Sequence, residues 1–214
     1  SNKIKLIGVA FKYPSSKKTF LKNIDIEISK NTIVAIVGDT GAGKSTLMDI
    51  ILGFVTPQQG SIFIDSSKLE GKNINKWRNS ISYVPQKIYL SDDTISANIA
   101  FGFNKKNINK KLISESIKLS CLSNFVSELQ IKENTLIGEN GVMLSGGQSQ
   151  RIGIARALYQ NKKILILDEA TNQLDMKTES VIWENLKKLN KTIILITHRL
   201  NTLKNVDNII FIKN

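Results

Sequence analysis

Cysteine, proline and long apolar runs are all scarce in this chain of 214 residues. The single cysteine, Cys121, excludes an internal disulfide, and its neighbours (LSCLSN) supply neither a metal-ligand spacing nor a nearby base, so we expect a small core residue there. The composition has only three prolines and no repeat, with 41% hydrophobic and 22% charged residues. These values are typical of one folded, globular domain and exclude a disordered chain.

No apolar run is long enough to cross a membrane. The longest runs, such as residues 33–37 and 164–167, fall far short of the roughly 18 residues that a bilayer requires. No signal peptide is visible either. We therefore predict that the chain as given does not itself span a membrane.

Acidic residues are outnumbered, with 18 Asp and Glu against 30 Lys and Arg and a formal net charge of +12. Such an excess is compatible with nucleic acid, anionic lipid or nucleotide as partners. The lysines, however, are scattered among asparagines and isoleucines. We accordingly expect no nucleic-acid partner.

Two kinds of strand pattern are present. Residues 3–11 and 20–28 alternate apolar and polar side chains, which predicts strands with one buried face that form an antiparallel edge. Continuous runs of isoleucine, valine and leucine predict strands covered on both faces, and hence a central parallel sheet. These runs are residues 32–37, 163–168, 191–197 and 208–212.

Helical patterns lie between these strands, at residues 44–52, 147–159 and 177–189. Strands that alternate with helices predict an α/β fold. Residues of about 88–145 have weaker strand signals and several short helical patterns, at 94–100, 109–119 and 122–128. We predict a single domain, 1–214, in which a mostly helical subdomain (about 88–145) is inserted between sheet-containing parts, 1–87 and 146–214.

A phosphate-binding pattern follows the apolar run at 32–37. It fits G-x-x-x-x-G-K-[ST] between a predicted strand and a predicted helix, as a P-loop requires, and consists of Gly38, Asp39, Thr40, Gly41, Ala42, Gly43, Lys44, Ser45 and Thr46. Its glycines let backbone N–H groups approach the phosphates of ATP, while Lys44 reaches the β- and γ-phosphates and Ser45 ligates Mg²⁺. The alternative is a glycine-rich turn without a ligand.

Two acids end the buried run ILILDE. Asp168 suits a carboxylate that holds the Mg²⁺ shell, and Glu169, whose side chain points the other way, suits the base that activates the attacking water. Phosphoryl transfer requires such charge neutralisation and a positioned water. Taken without the P-loop, the two acids could instead cap the helix that follows.

A second anion site is indicated where LSGGQ opens the helical pattern at 147–159. Ser145 is suited to cap this helix, and glycines beside it expose backbone N–H groups, so the site comprises Ser145, Gly146, Gly147 and Gln148. From spacing alone, an ordinary capped helix explains these residues equally well.

Together these motifs resemble the ATP-binding cassette (ABC) family, since LSGGQ is the family's signature and the other motifs follow in the family's order over residues 3–212. The resemblance implies that Tyr13 in FKYP stacks on adenine. Gln86 in YVPQ would touch Mg²⁺ or the water and couple to the membrane domain, and His198 in ITHRL would contact the γ-phosphate. Each alone could be a surface aromatic, a turn residue or a satisfied histidine.

The family arrangement also implies a composite site. Two cassettes would face head to tail, so that each ATP lies between one chain's P-loop and the partner's LSGGQ segment. Within one chain the residues that act on its own ATP and Mg²⁺ would be Lys44, Ser45, Gln86, Asp168, Glu169 and His198. Ser145, Gly146 and Gly147 would reach the nucleotide of the partner.

Segment 135–141 is similar to the T-x-x-G-x-x-G segment of exporter-type cassettes, and within exporters the chain resembles lipid-linked oligosaccharide and polysaccharide flippases.

Three features of the sequence depart from the family pattern. Residues 172–175, in the place of the D-loop, read NQLD where SALD is common; Asn140 replaces a frequent arginine; and family members usually continue beyond the position of Asn214.

These observations predict the ATP-hydrolysing motor domain of an exporter at the cytoplasmic face of the cell membrane. Its expected partners are a second cassette and a transmembrane domain. The alternative is a soluble cassette ATPase that acts on nucleic acid, but only 101 positions separate Lys44 from Ser145, too few for the long coiled coil of chromosome-maintenance relatives. A sensor without turnover is disfavoured because both Glu169 and His198 are present.

Overall fold

The computed structural model describes residues 3–14 and 21–213. Its strands, in chain order, are β1 (Lys3–Phe11), β2 (Leu21–Ser29), β3 (Ile33–Gly38), β4 (Gln59–Ile64), β5 (Ser67–Lys68), β6 (Ile81–Val84), β7 (Asp93–Thr94), β8 (Leu136–Ile137), β9 (Ile164–Asp168), β10 (Thr192–Ile196) and β11 (Asn208–Ile212). Its α-helices are α1 (Lys44–Leu52), α2 (Lys72–Arg78), α3 (Ile95–Ile99), α4 (Lys110–Leu119), α5 (Ser123–Glu128), α6 (Gly146–Tyr159), α7 (Met176–Lys187) and α8 (Leu200–Leu203).

The chain divides into two compact units. The first comprises the described residues up to Ile81 and from Lys191 onward, and the second comprises Ser82–Asn190. None of the helices within residues 3–14 and 21–213 combines the length and the apolar character that a bilayer crossing requires. The helical subdomain predicted for about 88–145 stays a prediction; within that range lie α3, α4, α5 and the two-stranded antiparallel sheet of β7 and β8.

An antiparallel sheet in the order β2-β1-β4-β5 forms part of the first unit. Along β1 the buried side chains alternate as the sequence pattern requires, with Ile4, Leu6, Val9 and Phe11 facing the core. Ile4 is paired with Ile28 of β2. The predicted antiparallel edge is thus confirmed.

Strand β4 was not predicted, because a glycine at its start breaks the alternating pattern. Gly60 has a φ of +76°, and a Cβ there would lie 2.3 Å from the carbonyl oxygen of Ile7 on β1. The register between β1 and β4 shifts between Ile7 and Ala10, beside this close approach. Glycine is required here by the bulge, not by a turn.

Parallel strands form the rest of the first unit's sheet structure. β3 pairs in parallel with both β10 and β11, and its residues Ile33, Val34, Ala35 and Ile36 are buried. Burial on both faces explains the continuous apolar runs of β3, β9 and β10. For residues 208–212 the prediction of two covered faces is wrong, since Ile209 and Phe211 are more than half exposed. The reason is that β11 is the end strand of its sheet in the described structure, with β3 as its neighbour. In the second unit β9 is hydrogen-bonded to β6. The α/β class with parallel strands and an antiparallel sheet is confirmed.

A separate helical core lies in the second unit, where α3 and α4 pack against α6. Its centre is made by residues that are almost fully buried, namely Ile95, Ile99, Ile113, Leu122, Ile137, Ile152 and Ala155. Cys121, which we expected in a core, is only partly buried and has a φ of +58° between α4 and α5. Burial nevertheless raises the pKa of its thiol.

Candidate functional site

The P-loop joins β3 to α1 through a loop that only glycine can build. Gly41 and Gly43 have φ values of +77° and +100°, a region that residues with a Cβ rarely adopt. Gly38 is constrained in another way, since a Cβ there would lie 2.3 Å from the carbonyl oxygen of Ile212 on β11. The glycine spacing read from the sequence therefore matches the backbone that the loop adopts.

Lys44 is folded back over this loop at the start of α1. Its Nζ donates hydrogen bonds of 2.8 Å to the carbonyl oxygens of both Gly38 and Asp39, and the residue is only 7% exposed. These carbonyls orient the ammonium but carry no formal negative charge. Because the first turn of α1 also contains no acid, the N–H groups of the helix end and the ammonium give a positive site suited to phosphate.

Tyr13 is held beside α1. Its ring packs edge-on against Phe11 with centroids 4.8 Å apart, and its hydroxyl donates a hydrogen bond of 3.5 Å to Oδ2 of Asp49. Burial raises the pKa of Asp49, and the hydrogen bond from Tyr13 opposes that rise. Tyr13, the residue predicted to stack on adenine, thus lies in the same unit as the P-loop. It contacts α1, the helix that follows that loop.

His198 lies two residues beyond the end of β10 and is exposed. β10 runs parallel to β3, with Ile196 opposite Ile36, so both strands end at the same edge of the sheet. The P-loop leaves β3 at that edge. His198 and the P-loop are therefore on the same side of the first unit.

In the second unit Gln86 and Glu169 are in direct contact. Gln86 Nε2 donates a hydrogen bond of 2.8 Å to Oε2 of Glu169, and Asn172 Nδ2 donates to the same oxygen at 2.8 Å. Asp168, the last residue of β9, accepts a hydrogen bond of 3.3 Å at Oδ2 from the hydroxyl of Tyr83. Three side chains therefore hydrogen-bond to the two acids, two from residues 83–86 and one from the loop that follows β9.

The acids do not cap the next helix. Helix α7 is capped by Asp175, whose Oδ1 accepts a hydrogen bond of 2.9 Å from the backbone N–H of Thr178. Hydrogen bonds from this helix end lower the pKa of Asp175. The capping alternative for Asp168 and Glu169 is thereby excluded.

The LSGGQ segment begins α6 as a capping box, which confirms Ser145 as the helix cap. Ser145 Oγ accepts from the N–H of Gln148 at 3.2 Å, and Gln148 Oε1 accepts from the N–H of Ser145 at 2.8 Å. Gly146 lies against Gln173, since a Cβ on it would come 1.8 Å from Oε1 of that side chain. Gly147 lies against the carbonyl of the same residue.

The side chains that were predicted from the sequence to bind Mg²⁺ carry suitable oxygen donors. Ser45 supplies a hydroxyl, Asp168 a carboxylate and Gln86 an amide oxygen, which are hard ligands of the kind that Mg²⁺ prefers. Within residues 3–14 and 21–213 no group of three or more His, Cys, Asp and Glu side chains is arranged to hold a metal.

The departure at Asn140 also has a structural counterpart. Asn140 Nδ2 donates a hydrogen bond of 2.7 Å to Oδ2 of Asp92, and its backbone N–H donates to Oδ1 at 3.3 Å. The residue that replaces a frequent arginine thus ties segment 135–141 to the strand-flanking residue Asp92 within the same unit.

Tyr83 and Gln150, which lie near the acids, were not identified from the sequence. Residue 172 was placed in the D-loop, but the hydrogen bond from its side chain to Glu169 was not predicted. For Gln150 a signal was available, because it lies on the same helical stripe as Ile154 and Leu158 at intervals of four residues. A polar residue at a core-facing position of this kind needs hydrogen-bond partners when buried. No comparable periodic signal marks Tyr83 or Asn172.

Comparison with known proteins matches residues 21–172 to the family described as ABC transporter. The chain is 41% identical over 212 residues to an ATP-dependent lipid A-core flippase of Wigglesworthia glossinidia brevipalpis, covering 98% of this chain and 36% of the relative. It is 42% identical over 205 residues to the leukotoxin translocation ATP-binding protein LktB of Mannheimia glucosida, covering 95% of this chain and 29% of the relative.

A solved structure is also similar to the chain. It is described as a bacterial Atm1-family ABC exporter with ATP bound, and it aligns with a TM-score of 0.91 and 34% identity over 99% of this chain and 37% of that one. The chain therefore spans about a third of the length of the relatives that it matches.

Proposed function

Since the chain belongs to the ABC transporter family, we propose that it is the ATP-driven motor of a membrane exporter. It is an ATPase domain of the exporter type. Relatives that are named for lipid A-core flipping and for leukotoxin translocation support transport over a soluble ATPase that acts on nucleic acid. The place of action would be the cytoplasmic face of a membrane, together with a transmembrane domain.

The P-loop is the observation that carries this proposal. Its glycines adopt the backbone that lets N–H groups face a phosphate, and Lys44 is held at the loop by two carbonyl oxygens. We assign residues 38–46 to ATP and Tyr13 to adenine. Ser45 would hold Mg²⁺, which supplies charge neutralisation for the transferred phosphoryl group when bound.

Turnover is assigned to the carboxylates at the end of β9. Asp168 would hold the Mg²⁺ shell, and Glu169 would accept the proton of the attacking water, with Gln86 fixing the direction of its carboxylate through the 2.8 Å hydrogen bond. His198 would contact the γ-phosphate. Hydrogen bonds to an ionised carboxylate are stronger than neutral ones, so this orientation is well defined.

Dimerisation would complete the site. We propose that the exposed start of α6, with Ser145, Gly146, Gly147 and Gln148, contacts the nucleotide of a second cassette in a head-to-tail pair. A helix of 14 residues presents its N-terminal dipole there. ATP would then favour the closed pair because it binds that arrangement better.

The proposal is tested by phosphate release and ATP affinity of the purified chain, with and without Mg²⁺. Lys44→Met keeps the length of the side chain but removes its charge, and we expect ATP affinity to fall roughly 10- to 100-fold, since a hydrogen bond to a charged group is worth about 1.5–3 kcal/mol. Lys72→Met, an exposed position on α2, is the matched control and should behave as wild type.

Two outcomes would contradict the proposal. Equal ATP affinities of Lys44→Met and wild type would contradict the assignment of the P-loop to ATP binding. Stimulation of turnover by DNA or RNA would instead favour the soluble alternative.

A further inference from the structure

Gln150 is a buried amide that uses both ends of its side chain. It lies on α6 with 3% of its surface exposed. Its Nε2 donates a hydrogen bond of 3.4 Å to the carbonyl oxygen of Glu169, and its Oε1 accepts one of 2.8 Å from the backbone N–H of Gln173. The side chain therefore bridges the two ends of segment 169–173, all within the second unit.

Segment 169–173 needs such a bridge because its first residue is strained. Glu169 has a φ of +49°, a region that is unfavourable for residues with a Cβ and persists only when the surroundings hold it. Within the segment, the N–H of Asn172 donates to the same carbonyl at 3.2 Å. Release of this turn would redirect the Glu169 side chain, since the backbone dihedrals set the direction in which it leaves the chain.

The same segment also touches the LSGGQ segment. Gly146, in the first turn of α6, lies so close to Gln173 that a Cβ would come 1.8 Å from Oε1. Gln150 follows one turn further along that helix. A displacement of the start of α6 is thus passed to segment 169–173 at two points, by contact at Gly146 and by hydrogen bonds at Gln150.

We propose that Gln150 is a positioning residue that couples the LSGGQ segment to the carboxylate of Glu169. This inference rests on the proposed function, in which that segment contacts the nucleotide of the partner. Its consequence is communication between sites: ATP on the partner, once it engages residues 145–148, orients the base that acts on this chain's own ATP.

Simple packing does not account for an amide at this position. A leucine or methionine would fill the space without the free-energy cost of removing an amide from water. Both polar ends of Gln150 are instead directed to backbone groups of the one turn that carries Glu169 and Gln173.

The test compares the purified chain with Gln150→Met, Glu169→Gln and the double variant. Methionine has a similar length but forms neither hydrogen bond. We expect Gln150→Met to lower kcat roughly 10- to 100-fold, since a misplacement of about 1 Å can cost on the order of 10² in rate, while ATP affinity stays within about twofold. Gln150→Leu is the second variant should the thermal unfolding of Gln150→Met be altered.

The double variant separates positioning from general stability. If Gln150 acts through Glu169, then adding Gln150→Met to Glu169→Gln changes the residual turnover by no more than about twofold, because residues that act as a unit are strongly non-additive. A merely structural loss would multiply with the loss of the base. Multiplied losses, or a Gln150→Met variant with wild-type kcat, would overturn the inference.

Asn98→Leu is the control for a lost buried amide. Asn98 is fully buried in the same unit and hydrogen-bonds to the backbone of residues 91–94, with no hydrogen bond to Glu169 or Gln173 in the described structure. It should lower stability with kcat unchanged. If Glu169→Gln itself retains turnover, the assignment of Glu169 as the base in the proposed function is wrong. If only the results for the Gln150 variants differ from those expected, the coupling through Gln150 is wrong and the proposed function stands.

Discussion

Gln86 Nε2 donates a hydrogen bond of 2.8 Å to Oε2 of Glu169, although 83 positions separate these residues in the sequence. Asn172 Nδ2 donates to the same oxygen at 2.8 Å. Two amides from different segments therefore fix one carboxylate oxygen, which restricts the rotamers of Glu169. The contact lies entirely within the second unit and gives the first prediction below.

Removing the amide in Gln86→Ala should lower turnover about tenfold or more, since a hydrogen bond to a charged group is worth about 1.5–3 kcal/mol. ATP affinity should change little, because the assigned role of Gln86 is to orient the base. Steady-state phosphate release beside equilibrium ATP binding measures both quantities. Loss of binding with kcat retained would assign Gln86 to the nucleotide instead.

Replacing the carboxylate in Glu169→Gln should abolish most turnover while ATP still binds. The amide keeps the shape of the side chain and can still accept the hydrogen bond from Gln86 through its oxygen, but it cannot act as the base. General bases contribute about 10²–10⁴-fold, so a loss of that order is expected in phosphate release. Unhydrolysed ATP should also hold two chains together, which size-exclusion mass would reveal. Turnover within about threefold of wild type would refute the base assignment.

Tyr13→Ala should weaken ATP binding by about 1–3 kcal/mol, the usual worth of a base stacked on an aromatic ring. Tyr13→Phe is the matched control, since it keeps the ring and loses only the 3.5 Å hydrogen bond to Asp49. It should bind ATP as wild type does. Inorganic triphosphate has no adenine, so its affinity should be the same for wild type, Tyr13→Ala and Tyr13→Phe. Equal losses for ATP and triphosphate would count against stacking.

Asp49→Asn should stabilise the fold at neutral pH and have no such effect at about pH 3. Burial raises the pKa of this carboxyl, so the folded state disfavours the ionised form, and stability falls as pH rises from the unfolded pKa of about 3.9 through the raised folded pKa. Asparagine is never ionised and can still accept the Tyr13 hydrogen bond. Urea unfolding at the two pH values measures the difference.

The hydrogen bond from Tyr13 lowers the pKa of Asp49, so its removal gives a control for that prediction. In a Tyr13→Phe background the stabilisation by Asp49→Asn at pH 7 should increase. A gain that is the same at both pH values would point to packing rather than to ionisation.

The amino-acid sequence by itself determined the elements whose causes are local. An apolar strand followed by glycines at fixed spacing and Lys44 is enough to build the strand, loop and helix of the P-loop, because each glycine meets a requirement of the backbone beside it. Ser145 and Gln148 likewise form their capping box across three residues. The alternating pattern of β1 and the continuous runs of β3 and β10 predicted their sheets for the same reason.

Only the tertiary structure decided which side chains meet. The hydrogen bonds of Glu169 to Gln86 and Gln150 span 83 and 19 positions, and they depend on how separate strands and a helix are placed. The helical stripe of α6 marks Gln150 as a core-facing residue, but it does not identify the residue to which Gln150 bonds. Gly60 is a similar case, since its need for a missing Cβ arises from the backbone of Ile7 on another strand. Side-chain hydrogen bonds require placement within a few tenths of an ångström, and packing against distant residues supplies that placement.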